Sequence, residues 1–378
     1  MIKQETVYEM RLVSALEKVF LDERPVYRPE CMKLTALKGE TVSFQAACTC
    51  TSFMKNRVKV RIESPISDRI HVRKVENVPA GRVCGPIVDD NYLKTESGLY
   101  PDLLRELVDG EVDIFPQKWR SIWIDIEVTE DVKAGLYPVT VILEKDGETL
   151  ARAATEVTIY DAVLPKQKMM HTEWFYLDCL ADYYHVPVFS EEHWEIITNY
   201  LKEYVKRGCN MILTPLFTPA LDTAVGIERT TTQLLDVRVE NGNYSFGFDR
   251  VKKWIDLCQS CGIEYFEICH LFSQWGAKYA PKVMAVVNGK EEQIFGWHTP
   301  AVGEYTKFLH SLLPQLTEKL REWGIDKVTY FHLSDEPREE HLESYRAAKE
   351  SIEGLLDGFH TFDALSSYEF YKHGLVDK

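Results

Sequence analysis

The stretch VTYFHLSDEPREEH, residues 328–341, sets two carboxylates side by side, Asp335 and Glu336, where an apolar run gives way to a proline. Like charges this close raise each other's proton affinity, so the pairing is costly unless something makes use of it. Consecutive residues of a regular strand point to opposite faces, so both carboxylates can serve one pocket only if at least one lies beyond the strand's last regular residue. Pro337 agrees with this, since it cannot continue a central strand and holds Glu336 in an extended or turn-like conformation. Both carboxylates then stand at the C-terminal rim of a strand, where barrel enzymes build their sites. The alternative is a helix start, with Asp335 as the cap and Glu336 in a first turn that suits a negative charge.

Other expected strand ends carry Asp178, Thr214, His270 and Trp275. Polar handles beside aromatic faces suit a sugar, whose C–H face packs on indole while its hydroxyls take hydrogen bonds. Asp178, His270, Trp275 and Trp297 are therefore the candidate substrate-binding residues. Trp275 and Trp297 share the long loop after the third strand, as sugar platforms or as loop core. Trp174, Trp194, Trp254 and Trp323 fall within elements and suit packing. Asp222 and Glu228, in the loop after the second strand, are solvated charges or cleft lining. His270 and His332 with Asp335 could hold a metal, but no H-x-H or H-E-x-x-H spacing accompanies them, so neither metal nor cofactor is expected. His332 has the alternative of a satisfied interior histidine. Cys258 and Cys261 form a lone C-x-x-C at a helix end, without the second pair a zinc site would need.

These side chains need elements to position them, and the chain has two kinds. Up to about residue 165 the pattern is that of strands. SIWIDIEV (121–128) alternates with period two, and two further runs meet at Asp146-Gly147, a strong hairpin signal. With ETVSFQAACTC and NRVKVRIES this makes a β-sandwich domain, residues 1–165, in which residues 84–118 are expected to be a long connection. After the linker DAVLPKQKM the pattern changes to strands alternating with helices. Ser190 and Gly208 bracket one helix as caps, and others are expected near 249–260, 301–323 and 338–353. Five strands are expected, around 169–177, 210–217, 264–272, 327–333 and 358–365. This alternation argues for a (β/α) barrel domain over residues 166–378. A closed barrel needs eight strands, so the chain is expected to be truncated, to keep an open sheet, or to be completed by another chain. On that expectation the chain alone is inactive, and it self-associates through the open barrel edge.

The whole composition narrows the partners. The chain has 378 residues, 59 acidic against 44 basic, and a net charge of −15, which disfavours a nucleic-acid backbone and fits neutral or cationic ligands. No apolar run approaches the length of a transmembrane segment, and the charged N-terminus lacks a signal-like apolar core. Nine scattered cysteines read most simply as reduced thiols in a cytoplasmic protein.

Several blocks together carry a family likeness: FYLDCLADYYHVPVFSEEHWEIITNYLKEYVKRGCNMILTPLFTPALDT, HLFSQWGAKYAPKVMA, QIFGWHTP and FHLSDEP. In these the chain resembles glycoside hydrolase family 123, also labelled domain of unknown function 4091, over nearly its whole length. The resemblance implies a β-sandwich followed by a (β/α)8-type TIM barrel and an activity on terminal β-linked N-acetylgalactosamine. It also implies an adjacent Asp-Glu pair after the fourth strand, which falls on Asp335 and Glu336. In such substrate-assisted catalysis the sugar's own 2-acetamido oxygen is the nucleophile, so the protein supplies no second one. Asp335 would orient the acetamido group, and Glu336 would act as acid and then base. The other class of reading is a non-catalytic carbohydrate-binding protein, or an inactive fragment, with a partial barrel.

Overall fold

The computed structural model describes residues 6–26, 32–52, 57–81, 91–221 and 223–376. Its contacts divide the chain into two compact units, Met1–Lys166 and Gln167–Lys378.

Among the described residues the first unit contains ten strands: β1 (Tyr8–Ser14), β2 (Lys33–Lys38), β3 (Glu40–Cys50), β4 (Arg57–Glu63), β5 (Ile70–Ala80), β6 (Gly98–Glu106), β7 (Glu111–Asp113), β8 (Arg120–Val128), β9 (Gly135–Lys145) and β10 (Glu148–Val163). They form two five-stranded sheets, ordered β1-β3-β8-β5-β6 and β2-β10-β9-β4-β7. The alternation along β8 buries Ile122, Ile124 and Ile126 completely, in one core with Phe44 and Ala46 of β3 and Val139, Val141 and Leu143 of β9. The β9–β10 hairpin turns at Asp146 and Gly147, both at positive φ (52° and 80°), as a tight two-residue turn requires. The stretch expected to be a connection instead carries β6 and β7, with residues 82–90 outside the described residues. β6 pairs only with β5, at the end of its sheet. Such an edge strand buries little and so lacks the apolar alternation that marks β8.

The second unit is α/β. Its elements are α1 (Leu177–Tyr184), α2 (Glu191–Lys206), β11 (Met211–Thr214), β12 (Asp236–Glu240), β13 (Asn243–Gly247), α3 (Asp249–Cys261), β14 (Tyr265–Ile268), β15 (Val283–Val287), β16 (Lys290–Phe295), α4 (Glu304–Glu322), β17 (Thr329–Phe331), α5 (Leu342–Glu350), β18 (His360–Thr361) and α6 (Glu369–Lys372). β11, β14, β17 and β18 pair in that order, all parallel. Local chemistry explains the helix ends. The Ser190 hydroxyl accepts the His193 N–H at 3.2 Å to start α2, and Gly262, at φ 107°, ends α3. Cys258 is buried inside α3, where burial pushes its thiol well above the usual range. The described cysteines are free thiols.

Two features depart from the sequence reading. The strand expected over 169–177 is reduced to a single bridge, Thr172 to Met211. From Leu177 the chain turns into α1, because Leu177, Leu180 and Ala181 recur at helical spacing and are buried together. Asp178 therefore sits on a helix, not at a strand end. The loops after β11 and β14, moreover, are not plain loops. They carry the hairpins β12–β13 and β15–β16, turned at Asn241-Gly242 and Asn288-Gly289, which join as a second sheet ordered β13-β12-β15-β16.

Candidate active site

At the C-terminal ends of β14, β17 and β18 the chain gathers a buried charged layer. His332, after β17, lies between Glu267 of β14 and Asp363 beyond β18. Its Nε2 is 2.8 Å from Glu267 Oε2 and its Nδ1 3.0 Å from Asp363 Oδ1. The indole N–H of Trp174 donates to the same Glu267 oxygen at 2.9 Å. Burial alone would lower the His332 pKa, but the two carboxylates outweigh it and raise it to about 9. The ring is therefore an imidazolium near neutral pH, donating from both nitrogens. His270 stacks on it with ring centroids 4.3 Å apart. Burial, helped by the His332 charge, holds the His270 pKa well below the usual range, so this second imidazole is neutral. Both His270 nitrogens and Glu267 Oε1 are buried without a hydrogen-bond partner within the protein.

Donor atoms of His270, His332 and Asp363 lie within 4.8 Å of one another, the spacing of a metal site, with Asp363 where the sequence suggested Asp335. Both His332 nitrogens are engaged by carboxylates. The ion-paired network accounts for this geometry.

Above that layer the carboxylate pair is tightly framed. Asp363 accepts hydrogen bonds from the backbone of Leu333 (3.0 Å) and Ser334 (3.2 Å) and from the Tyr345 hydroxyl (2.5 Å). The Ser334 hydroxyl accepts from the N–H groups of Gly276 and Ala277, at 3.2 and 3.1 Å, and donates to Ser273 O at 2.8 Å. The Trp275 N–H donates to the Asp335 carbonyl at 2.8 Å. This latch forces Trp275, Gly276 and Ala277 into the left-handed region, with φ 59°, 105° and 55°. Gly276 is needed there on two counts, since a Cβ would also stand 2.6 Å from His341 Cγ. Glu336 is at φ 42°, directly before Pro337, a conformation costing on the order of 1–3 kcal/mol. It adopts the turn-like form, not the extended one. Neither carboxylate begins a helix: the next helical turn starts at Glu339 and α5 at Leu342.

Of the sequence candidates, Asp335, Glu336 and Trp275 come together. Asp335 is half-buried, Glu336 exposed, and Trp275 keeps 40% of its surface open. His270 lies in the buried layer beside His332. Thr214 is also buried, accepting the Trp254 indole N–H at 3.2 Å. Trp297 is half-buried, its indole N–H donating to Ile227 O at 3.1 Å and its ring edge-on to Tyr279, so it packs the loop. The Asp178 carboxylate is taken up by Arg229, with Nε at 2.7 Å and Nη2 at 3.1 Å, in a pair largely shielded from solvent. Arg229 also lies over the Tyr176 ring at 3.9 Å. Glu228 is tied to Gln293 at 2.6 Å and to Lys282 at 3.5 Å. Asp222 lies outside the described residues. Sequence reasoning missed Glu267, Ser334 and Asp363. The signal for two of them was readable: each is a carboxylate inside an apolar strand run, Glu267 in YFEICHLF and Asp363 in GFHTFDAL.

A β-sheet domain is thus followed by an α/β domain with adjacent carboxylates and an open indole beyond its parallel strands. The chain belongs to glycoside hydrolase family 123: the family's catalytic domain matches residues 174–378 and its N-terminal domain residues 20–145. Among solved structures it is similar to a family 123 glycoside hydrolase from Clostridium perfringens, whose structural analysis concerned glycolipid glycan hydrolysis. The two are 17% identical with a TM-score of 0.70, over 98% of this chain and 66% of that one. A candidate glycoside hydrolase from Bacteroides vulgatus is 11% identical over 91% of this chain and 59% of its own, with a TM-score of 0.32, too slight to bear on the fold. The chain thus spans under two thirds of the length of either. No curated protein matches it.

Proposed function

We propose that this chain carries the catalytic carboxylates of a glycosidase that releases terminal β-linked N-acetylhexosamine, N-acetylgalactosamine in particular, with retention of configuration. The observation that carries this reading is the strained, latched presentation of Asp335 and Glu336 outside any helix, with the open Trp275 tied to the Asp335 backbone. Ordinary retaining enzymes supply both a nucleophile and an acid, about 5–5.5 Å apart across the scissile bond. In this reading the nucleophile belongs to the substrate, which leaves the adjacent pair the tasks of orientation and proton transfer. The acetamido oxygen attacks the anomeric carbon as the glycosidic bond breaks, giving an oxazolinium and the leaving alcohol, which takes its proton from Glu336. Water then opens the oxazolinium, losing its proton to Glu336. Asp335 holds the acetamido N–H and offsets the positive charge that develops. Intramolecular attack of this kind is worth on the order of 7–11 kcal/mol, ample against the strain and repulsion of the pair.

In this reading Trp275 is the sugar platform, while His270, its ring nitrogens buried, supports the site from the layer beneath. Trp297 and Asp178 act through the loop between them, Trp297 on Ile227 and Asp178 on Arg229. The parallel order β11-β14-β17-β18, with α3, α4 and α5 in the crossovers, supports part of a (β/α)8-type barrel.

Glu336→Gln tests the assignment. Turnover of substrates with poor leaving groups should fall about 10²–10⁴-fold, while activated aryl N-acetyl-β-galactosaminides, which need less protonation, should be spared more. Equal losses on both substrates would argue against Glu336 as the acid. Binding of N-acetylgalactosamine without turnover by the unaltered protein would favour a carbohydrate-binding role.

A further inference from the structure

We propose that Asp363 is a positioning residue for the Asp335–Glu336 pair, acting through the backbone of Leu333 and Ser334, and that His332 and Glu267 hold it in place. This rests on the glycosidase reading above. One carboxylate takes four hydrogen bonds: Oδ1 from His332 Nδ1 and Leu333 N, Oδ2 from Ser334 N and the Tyr345 hydroxyl. Two of these donors are main-chain groups beyond the end of β17, where no neighbouring strand pairs with them. The segment's carbonyls are held from the other side, His332 O by Leu271 N and Leu333 O by Phe272 N, both at 3.0 Å, while its N–H groups, which a next strand would take, are taken by a side chain. Ser334, held by its N–H, fixes the 273–277 loop through its hydroxyl, and the loop returns to the Asp335 carbonyl through Trp275. Asp363 is thus connected to both sides of the site while standing in neither.

A carboxylate suits this task better than an amide. It accepts at both oxygens without having to place donors of its own, whereas the NH2 of an asparagine would face a donor and leave it unpaired. His332 is the counter-charge that makes a buried carboxylate tolerable. Glu267 fixes the far side of that ring and is in turn held by Trp174.

The test uses the full chain, with Asp363→Asn, Asp363→Glu and Tyr345→Phe assayed on an aryl N-acetyl-β-galactosaminide and followed by amide hydrogen exchange. For Asp363→Asn, kcat should fall on the order of 10²-fold with KM changed no more than about threefold, the signature of misplaced groups. Asp363→Glu, which keeps the charge but moves the oxygens, should not rescue kcat. Tyr345→Phe, which leaves both main-chain bonds, should keep kcat within about threefold. Exchange should quicken at Leu333, Ser334 and Trp275 in Asp363→Asn and not across the unit. Even without a folded variant, the Leu333 and Ser334 amides of the unaltered protein should exchange much more slowly than that of the exposed Glu339. Fast exchange at these amides would overturn the proposal. So would an unchanged kcat in Asp363→Asn, or a Tyr345→Phe loss as large as that of Asp363→Asn. If the unaltered protein cleaves no N-acetylhexosaminide, as expected of an incomplete barrel, the exchange pattern alone judges the clamp, and loss of protection at Leu333 and Ser334 only in Asp363→Asn upholds it.

Discussion

His332 is a charge placed where water does not reach, and its neighbours decide how the protein responds to pH. Its folded pKa of about 9 lies above the ordinary 6.5, so the stability it contributes is fully present below pH 6.5 and is lost as pH rises through 9. A rise from 6.5 to about 9 corresponds to about 3 kcal/mol. His270 acts in the opposite sense: held neutral, it withdraws stability as pH falls below 6.5, because the unfolded chain then takes up a proton that the folded one refuses. The titratable groups facing this pair are Glu267, Asp363 and, through Asp363, Tyr345. The melting temperature should therefore decline between pH 6.5 and 9, and His332→Gln should flatten that limb while lowering stability at neutral pH. A melting temperature unchanged across this range would contradict the imidazolium assignment. At this scale the sequence displays Asp335 and Glu336 through adjacency alone. Asp363 is hidden because its role exists only once β17 and β18 pair and bring it to residues about thirty positions away.

Elements with local causes were readable, and those that depend on tertiary pairing were not. The start of α2 follows from the Ser190 cap and the end of α3 from Gly262. The hairpins β12–β13 and β15–β16 had an equally local sign in Asn241-Gly242 and Asn288-Gly289, but exposed polar positions on both sides dilute their alternation. The strand near Thr172 shrank to a bridge because the apolar spacing from Leu177 onward favours a helix.

Across the whole molecule, the change from period two to alternating strands and helices falls beside Lys166, where the two units divide. Each unit closes its own core. One cluster draws on residues from Leu12 to Ile159 and the other on residues from Leu177 to Val376, with no buried residue shared. Between them every residue from Asp161 to Met170 is exposed, including Lys166 and Lys168. Stretches like this are where proteases cut, because cleavage needs an extended, accessible backbone and little local structure to undo. Both units exceed the size at which a single core can sustain a fold. Brief trypsin treatment should therefore cut after Lys166 or Lys168 and leave two fragments, each with its own cooperative thermal transition. The N-terminal fragment should keep a β-type circular dichroism spectrum and the C-terminal one a mixed spectrum. If cleavage at these lysines instead unfolds either fragment, the core of that unit is not self-sufficient, and the chain should be treated as one folding unit in spite of its two clusters.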